Sequence, residues 1–80
     1  LGVIPDYLYS EEGMRIDGVS DGKPAHNAGI QKGDIVVQLG DVKVVDMMTY
    51  MNALGRYVKG DNVKATIIRD GKAVELKVRF

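Results

Sequence analysis

His26 is the single imidazole of this 80-residue chain, and Ser10 and Ser20 are its only serines, so nucleophilic chemistry would have to be assembled from these three. A serine nucleophile needs a base held against it, and in many hydrolases a glycine-flanked elbow that exposes its hydroxyl. Neither serine has such an elbow. Metal chemistry lacks ligands too. There is no cysteine, and Asp21, Asp34, Asp41, Asp61 and Asp70 each border a glycine, the placement of structural turn residues. The run Asp17, Ser20, Asp21, Gly22 is not followed by the glutamate that closes a calcium loop. Gly22, Lys23, Pro24 lacks the glycine spacing and the hydroxyl of a phosphate loop. No catalytic residue and no metal ligand is assigned, and His26 reads as a solvated or capping side chain.

What remains is backbone and apolar surface. Leu1, Gly2, Val3 and Ile4 would present consecutive N–H groups around a glycine, an arrangement able to cradle an anion such as a chain-terminal carboxylate. Met47, Met51 and Leu54 recur at the spacing of one helix edge, and methionine makes an adaptable wall for an apolar side chain. Periodicity alone favours core for the same stripe.

The elements that must position these groups follow from pattern. Eleven basic and eleven acidic residues cancel, which excludes a global field for nucleic acid or acidic lipid. The basic residues at 64, 69, 72, 77 and 79 alternate with acidic neighbours and read as the wet face of a sheet. With 45% hydrophobic residues the chain suits one small domain, and the lack of an initiator Met or a signal sequence suggests a piece of a longer polypeptide. The absence of cysteine gives no redox compartment.

Leu1 to Ile4 is a short apolar segment stopped by Pro5, and Asp6 to Gly13 is an exposed excursion. Met14 to Val19 alternates as a half-buried strand, Pro24 to Ala28 is a short helix capped by Gly29, and Ile35 to Leu39 is a central strand buried on both faces. Val42 to Val45 is a short strand, after which Asp46 caps a helix from Met47 that Gly60 and Asp61 stop. Val63 to Arg69 and Val74 to Phe80 flank the Asp70, Gly71 turn of a closing hairpin.

The run Gly18, Val19, then Pro24, Ala25, Ala28, Gly29, Ile30, Gly33, Asp34, Ile35, with Gly60, Asp61, Val63 and Arg69, Asp70, Gly71, Lys72 near the end, resembles the signature of bacterial PDZ domains. The resemblance spans nearly the whole chain. It implies a mainly β, α+β fold: a partly open barrel or sandwich of five to six strands with two helices. The implied topology is the circular permutation of HtrA-type proteases, in which the last strand, here Val74 to Phe80, replaces the usual first. It also implies a non-catalytic module that binds peptide by strand addition. Leu1, Gly2 and Val3 match the carboxylate loop, followed by Ile4; Met47, Met51 and Leu54 match the groove side of the second helix.

Pro5 departs from that pattern, because it falls where the docking strand would donate an N–H. A finer resemblance, over Leu1 to Tyr7, Arg15 to Val19 and Asp46 to Leu54, is to the C-terminal PDZ domains of zinc aminopeptidases of metallopeptidase family twenty-eight, with HtrA-like and carboxyl-terminal processing proteases nearby. It implies a parent acting in the periplasm or outside the cell, its zinc held by residues beyond this chain. No cofactor is expected in the domain itself. The expected partners are a peptide or protein segment with a free C-terminus and the parent's catalytic domain, and not nucleic acid or a membrane span. The rival reading is a structural module packed on the catalytic domain with its groove closed.

Overall fold

The computed structural model describes residues 2–80, so the Leu1 part of the expected anion loop lies outside the described residues. The elements run β1 (Val3–Pro5), β2 (Met14–Val19), α1 (Pro24–Ala28), β3 (Ile35–Leu39), β4 (Val42–Lys43), α2 (Met47–Leu54), β5 (Asn62–Arg69) and β6 (Lys72–Arg79). All pairings are antiparallel, in the order β1-β2-β3-β5-β6, with β4 beside β3. It is the mainly β fold with two helices that the sequence implies. No helix among the described residues is long and apolar enough to cross a membrane.

Local chemistry explains most of the elements. In β2, Met14 and Ile16 point into the core while Arg15 and Asp17 face out, the period of a strand with one buried side. Pro24 opens α1, left-handed Gly29 closes it, and the helix packs on β6. The hairpin β5–β6 turns through Asp70 at φ 53° and Gly71 at φ 78°. Two consecutive positive φ values define the turn whose twist matches that of the strands. Val63, Ala65 and Ile67 of β5 and Val78 of β6 join Ile16, Val36, Leu39 and Val44 in the core.

Four expectations are corrected. The apolar run of β3 is central but not buried on both faces: Val36 and Leu39 are buried, Ile35 and Val37 half-buried, and Gln38 exposed. A register shift between Val36 and Gln38 brings Val36 and Leu39, three positions apart, onto the same inner side. The Val42–Val45 strand is only Val42–Lys43, because the Val45 N–H is taken by the Thr49 hydroxyl and not by a neighbouring strand. Helix α2 stops at Leu54, well before Gly60; the amides of Arg56 and Tyr57 bond back to Ala53 and Leu54 in a tight turn, and Tyr57 leaves the helix line to meet the Phe80 ring at a tilt of 43°. Last, Arg69 is not part of the wet face.

Arg69 folds onto Asp34, Nε donating to one carboxylate oxygen at 2.9 Å and Nη2 to the other at 2.7 Å, with a further bond from Nη2 to the Gly29 carbonyl. Asp34 is 2% exposed and its second oxygen also accepts from the Gln31 N–H. Burial pushes the Asp34 carboxyl up, but the Arg69 hydrogen bonds, the Gln31 amide and the Arg69 charge together outweigh it and hold the group below the usual carboxylate range.

A carboxyl depressed in the folded state contributes stability above its unfolded pKa, and that contribution is lost as pH falls through the folded value. Unfolding by urea should therefore become easier below about pH 4, and Asp34→Asn should remove part of that acid limb. Arg69→Met strands a buried carboxylate and is expected to cost about 3 kcal/mol at neutral pH. An Arg69→Met midpoint equal to that of the parent would refute the role given to the pair.

Candidate functional site

Among the described residues the outer edge of β1 is open, since β2 is its only strand neighbour there. The Gly2 carbonyl accepts from the Ser20 N–H at 2.8 Å and the Asp6 N–H donates to the Arg15 carbonyl at 2.9 Å. Because antiparallel strands alternate, Ile4 also turns its peptide groups to β2, and Val3 and Pro5 turn theirs outward. The edge thus offers the N–H and C=O of Val3 and the C=O of Pro5. The proline supplies no N–H at the one further outward position. Ile4 lines the edge without supplying an amide, and its side chain, 53% exposed, lies over Gly18 while Val3 packs on the core.

Gly2 marks where this edge begins. Its φ of +81° is a conformation that side-chain-bearing residues avoid, and a Cβ there would collide with the Lys23 side chain. The same approach places the Lys23 stem beside the Gly2 backbone. Lys23 is exposed and forms no ion pair among the described residues. Sequence reasoning missed this cation: no periodicity links position 23 to position 2, and only the strand-turn-helix path brings them together. The turn leading into α1 is held by the Gly22 N–H donating to His26 Nδ1 at 3.2 Å, and the His26 side chain is otherwise exposed.

Helix α2 is fixed at its start by a reciprocal cap. The Asp46 carboxylate accepts from the Thr49 N–H at 2.9 Å, and the Thr49 hydroxyl accepts from the N–H groups of Val45 and Asp46. The amide and hydroxyl of Thr49 hold the Asp46 carboxyl below its ordinary range. Tyr50 and Ala53 are the buried face, and burial pushes the Tyr50 phenol up to about 12. The Met47, Met51, Leu54 edge is therefore not simply core: Leu54 packs on the core, Met47 is half-buried and Met51 is 60% exposed.

The Asp6–Gly13 excursion leaves Tyr7 and Leu8 in solvent and returns at Gly13, whose N–H donates to the Val45 carbonyl. Between the excursion and the first residues of α2 lies a cleft of about 210 Å³, lined by Asp6, Tyr9, Glu11, Asp46 and Met47 among others.

Comparison with known proteins decides the family. The sequence model of the PDZ domain matches residues 1–80. The chain belongs to the PDZ family.

Among similar proteins, the Do-like serine protease HtrA of Lactobacillus helveticus is 36% identical over 70 residues, covering 88% of this PDZ domain and 17% of the relative. A Staphylococcus aureus protein named as a zinc metalloprotease is 36% identical over 63 residues, 79% of the domain and 14% of that protein. The solved structure of the HtrA-type protease AlgW with a decapeptide superposes with a TM-score of 0.87, at 24% identity, over 99% of the domain and 27% of that chain. The chain thus spans about a sixth of the HtrA relative it matches. PDZ domains are non-catalytic, and these relatives are proteases. Serine and zinc enzymes both occur among them, so an expected preference for a zinc parent gains no support.

Thr49→Val would leave the Val45 and Asp46 amides without their acceptor. It is expected to cost about 1 to 2 kcal/mol in urea unfolding and to broaden the amide resonances of Met47 and Met48. An unchanged midpoint would mean that the cap does not position α2.

Proposed function

We propose that this domain binds the C-terminal segment of a peptide or protein by taking it as an added strand on the open edge of β1. The observation that carries the proposal is that edge, beginning at a glycine in the left-handed region with an unpaired lysine packed against it. The Gly2 and Val3 amides receive the terminal carboxylate, and Lys23 supplies the positive charge that neighbours it. The last side chain lies against Leu54 and Met51, and Met47 meets residues further upstream. Pro5 removes one ladder bond, worth about 0.5 to 1.5 kcal/mol, so side-chain and carboxylate contacts bear more of the affinity.

The parent chain is a peptidase of the bacterial envelope or exterior that uses the module to position substrate or regulate access. The likeness to an HtrA protease supports this class. The narrower assignment to a zinc aminopeptidase rests on the resemblance of the N-terminal and α2 stretches, and the zinc would be held outside these residues. A second reading is favoured by Met48 and Met51, 73% and 60% exposed: the α2 face packs on the catalytic domain and the groove is closed.

Amide-shift titration with short apolar-ended peptides, each as free acid and as C-terminal amide, separates the two. Shifts at Gly2, Val3, Met51 and Leu54 that vanish on amidation are the expected result. Gly2→Val and Leu54→Asp should abolish binding; Met51→Asp, at an exposed position that folding tolerates, should weaken it; Lys72→Ala on the hairpin should not change it. Lys23→Ala is expected to weaken the free acid by about three- to tenfold and leave the amide unaffected. No shifts at millimolar peptide would transfer the assignment to the packing module.

A further inference from the structure

The proposed strand edge runs out at Pro5, and the 210 Å³ cleft begins where it ends, with Asp6 following β1 on one wall and Met47 opening α2 on the other. A peptide lying antiparallel to β1, carboxylate at Gly2, sends its upstream residues toward this cleft. At about 3.4 Å per residue, the length of β1 places the cleft roughly three to five residues before the terminus. Pro5 has no N–H to continue the ladder there, so a side-chain contact is what can hold that part of the peptide.

The charges in the cleft do not cancel. Asp6 is neutralised by Arg15, Nη1 to carboxylate at 2.8 Å, and its other oxygen accepts from the Leu8 N–H. Glu12 pairs outside the cleft with Lys43 at 3.3 Å. Glu11 has no ion-pair partner among the described residues, and Asp46 spends one oxygen on the helix cap and meets no cation. Around these two carboxylates stand the rings of Tyr7 and Tyr9 and the apolar Val45 and Met47. Two net negative charges beside aromatic faces and an apolar floor fit a long cationic side chain, whose methylenes lie on Val45 and Met47 while its head meets Glu11, Asp46 and a tyrosine face.

We propose that this cleft is a second subsite of the peptide site, selecting an arginine or lysine upstream of the apolar C-terminus. The inference rests on the strand-addition reading, so its test includes peptides too short to reach the cleft. Binding to the 80-residue chain is measured for an apolar-ended tetrapeptide and for ten-residue peptides with the same ending, carrying Arg, Ala or Glu at each of the positions three to five before the terminus.

Arg at one of these positions is expected to bind about three- to tenfold more tightly than Glu, with Ala between and the difference shrinking as salt rises. Glu11→Lys should invert the preference, and Asp46→Asn, which keeps the cap oxygen, should reduce it; the tetrapeptide affinity reports whether the main site is intact. Equal affinities for the Arg, Ala and Glu series, with the tetrapeptide bound, would overturn the subsite and leave strand addition standing. Loss of all binding, tetrapeptide included, would overturn both.

Discussion

The Asp34–Arg69 pair is the joint on which the remaining geometry depends. Asp34 also uses its backbone: its carbonyl accepts from the Ile16 N–H at 2.7 Å, while the adjacent Gly33 N–H donates to the Ile16 carbonyl at 2.7 Å. Arg69 reaches from the end of β5 to the carboxylate and to the Gly29 carbonyl that closes α1. Asp34, through its carboxylate and its backbone together, therefore ties β2, the exit of α1, the entry to β3 and the end of β5. In a chain this short, with a core of mostly aliphatic residues, a fully bonded charge pair specifies register where the pleat alone would leave it loose.

Register matters because the candidate site is mostly backbone. Among the described residues β1 pairs with β2, and its outward groups are those of Val3 and Pro5 because the ladder starts at the Gly2–Ser20 bond. A slip of one residue would turn the Ile4 amide outward and hide that of Val3. Gly2 is constrained from both sides: its φ disfavours any side chain, and Lys23 occupies the place where one would stand. The same closeness that forbids a Cβ puts the stem of a lysine at the head of the strand edge. Helix α2, which the proposed function places opposite β1, is fixed by different means, with a polar cap at its first turn and Tyr50 and Ala53 in the core, while Met51 stays exposed.

A module of this kind needs no chemistry of its own. The single histidine serves a turn, Asp34 forms the buried pair, and the Asp61 carboxylate accepts from the Val58 N–H in the turn before β5. The proposed recognition depends on an unpaired strand edge among the described residues, which in most proteins is a hazard. Shortness limits the hazard: β1 has three residues, and its proline stops the ladder.

Much of this was legible in the sequence. Alternation fixed β2, β5 and β6; Asp70 and Gly71 fixed the hairpin; Pro24 and Gly29 bracketed α1; and Asp46 marked the start of α2, because each of these signals acts over a few neighbouring residues. The order of glycines, prolines and apolar residues along the chain also placed it in its family.

What the sequence by itself did not determine was set by contacts between distant segments. The apolar run of β3 could not show that a register shift would leave one side half-buried. Arg69 looked like one more exposed base until β5 was laid beside β3 and Asp34 came within reach. Met51 matched a core stripe in periodicity, and only the packing of Tyr50 and Ala53 decided that it stays outside. Lys23 became a neighbour of Gly2, and Glu11 a neighbour of Asp46, through folding alone. Local pattern determines which element a segment forms; which elements meet, and therefore which charges are paired and which stay unpaired, is decided only when the core closes.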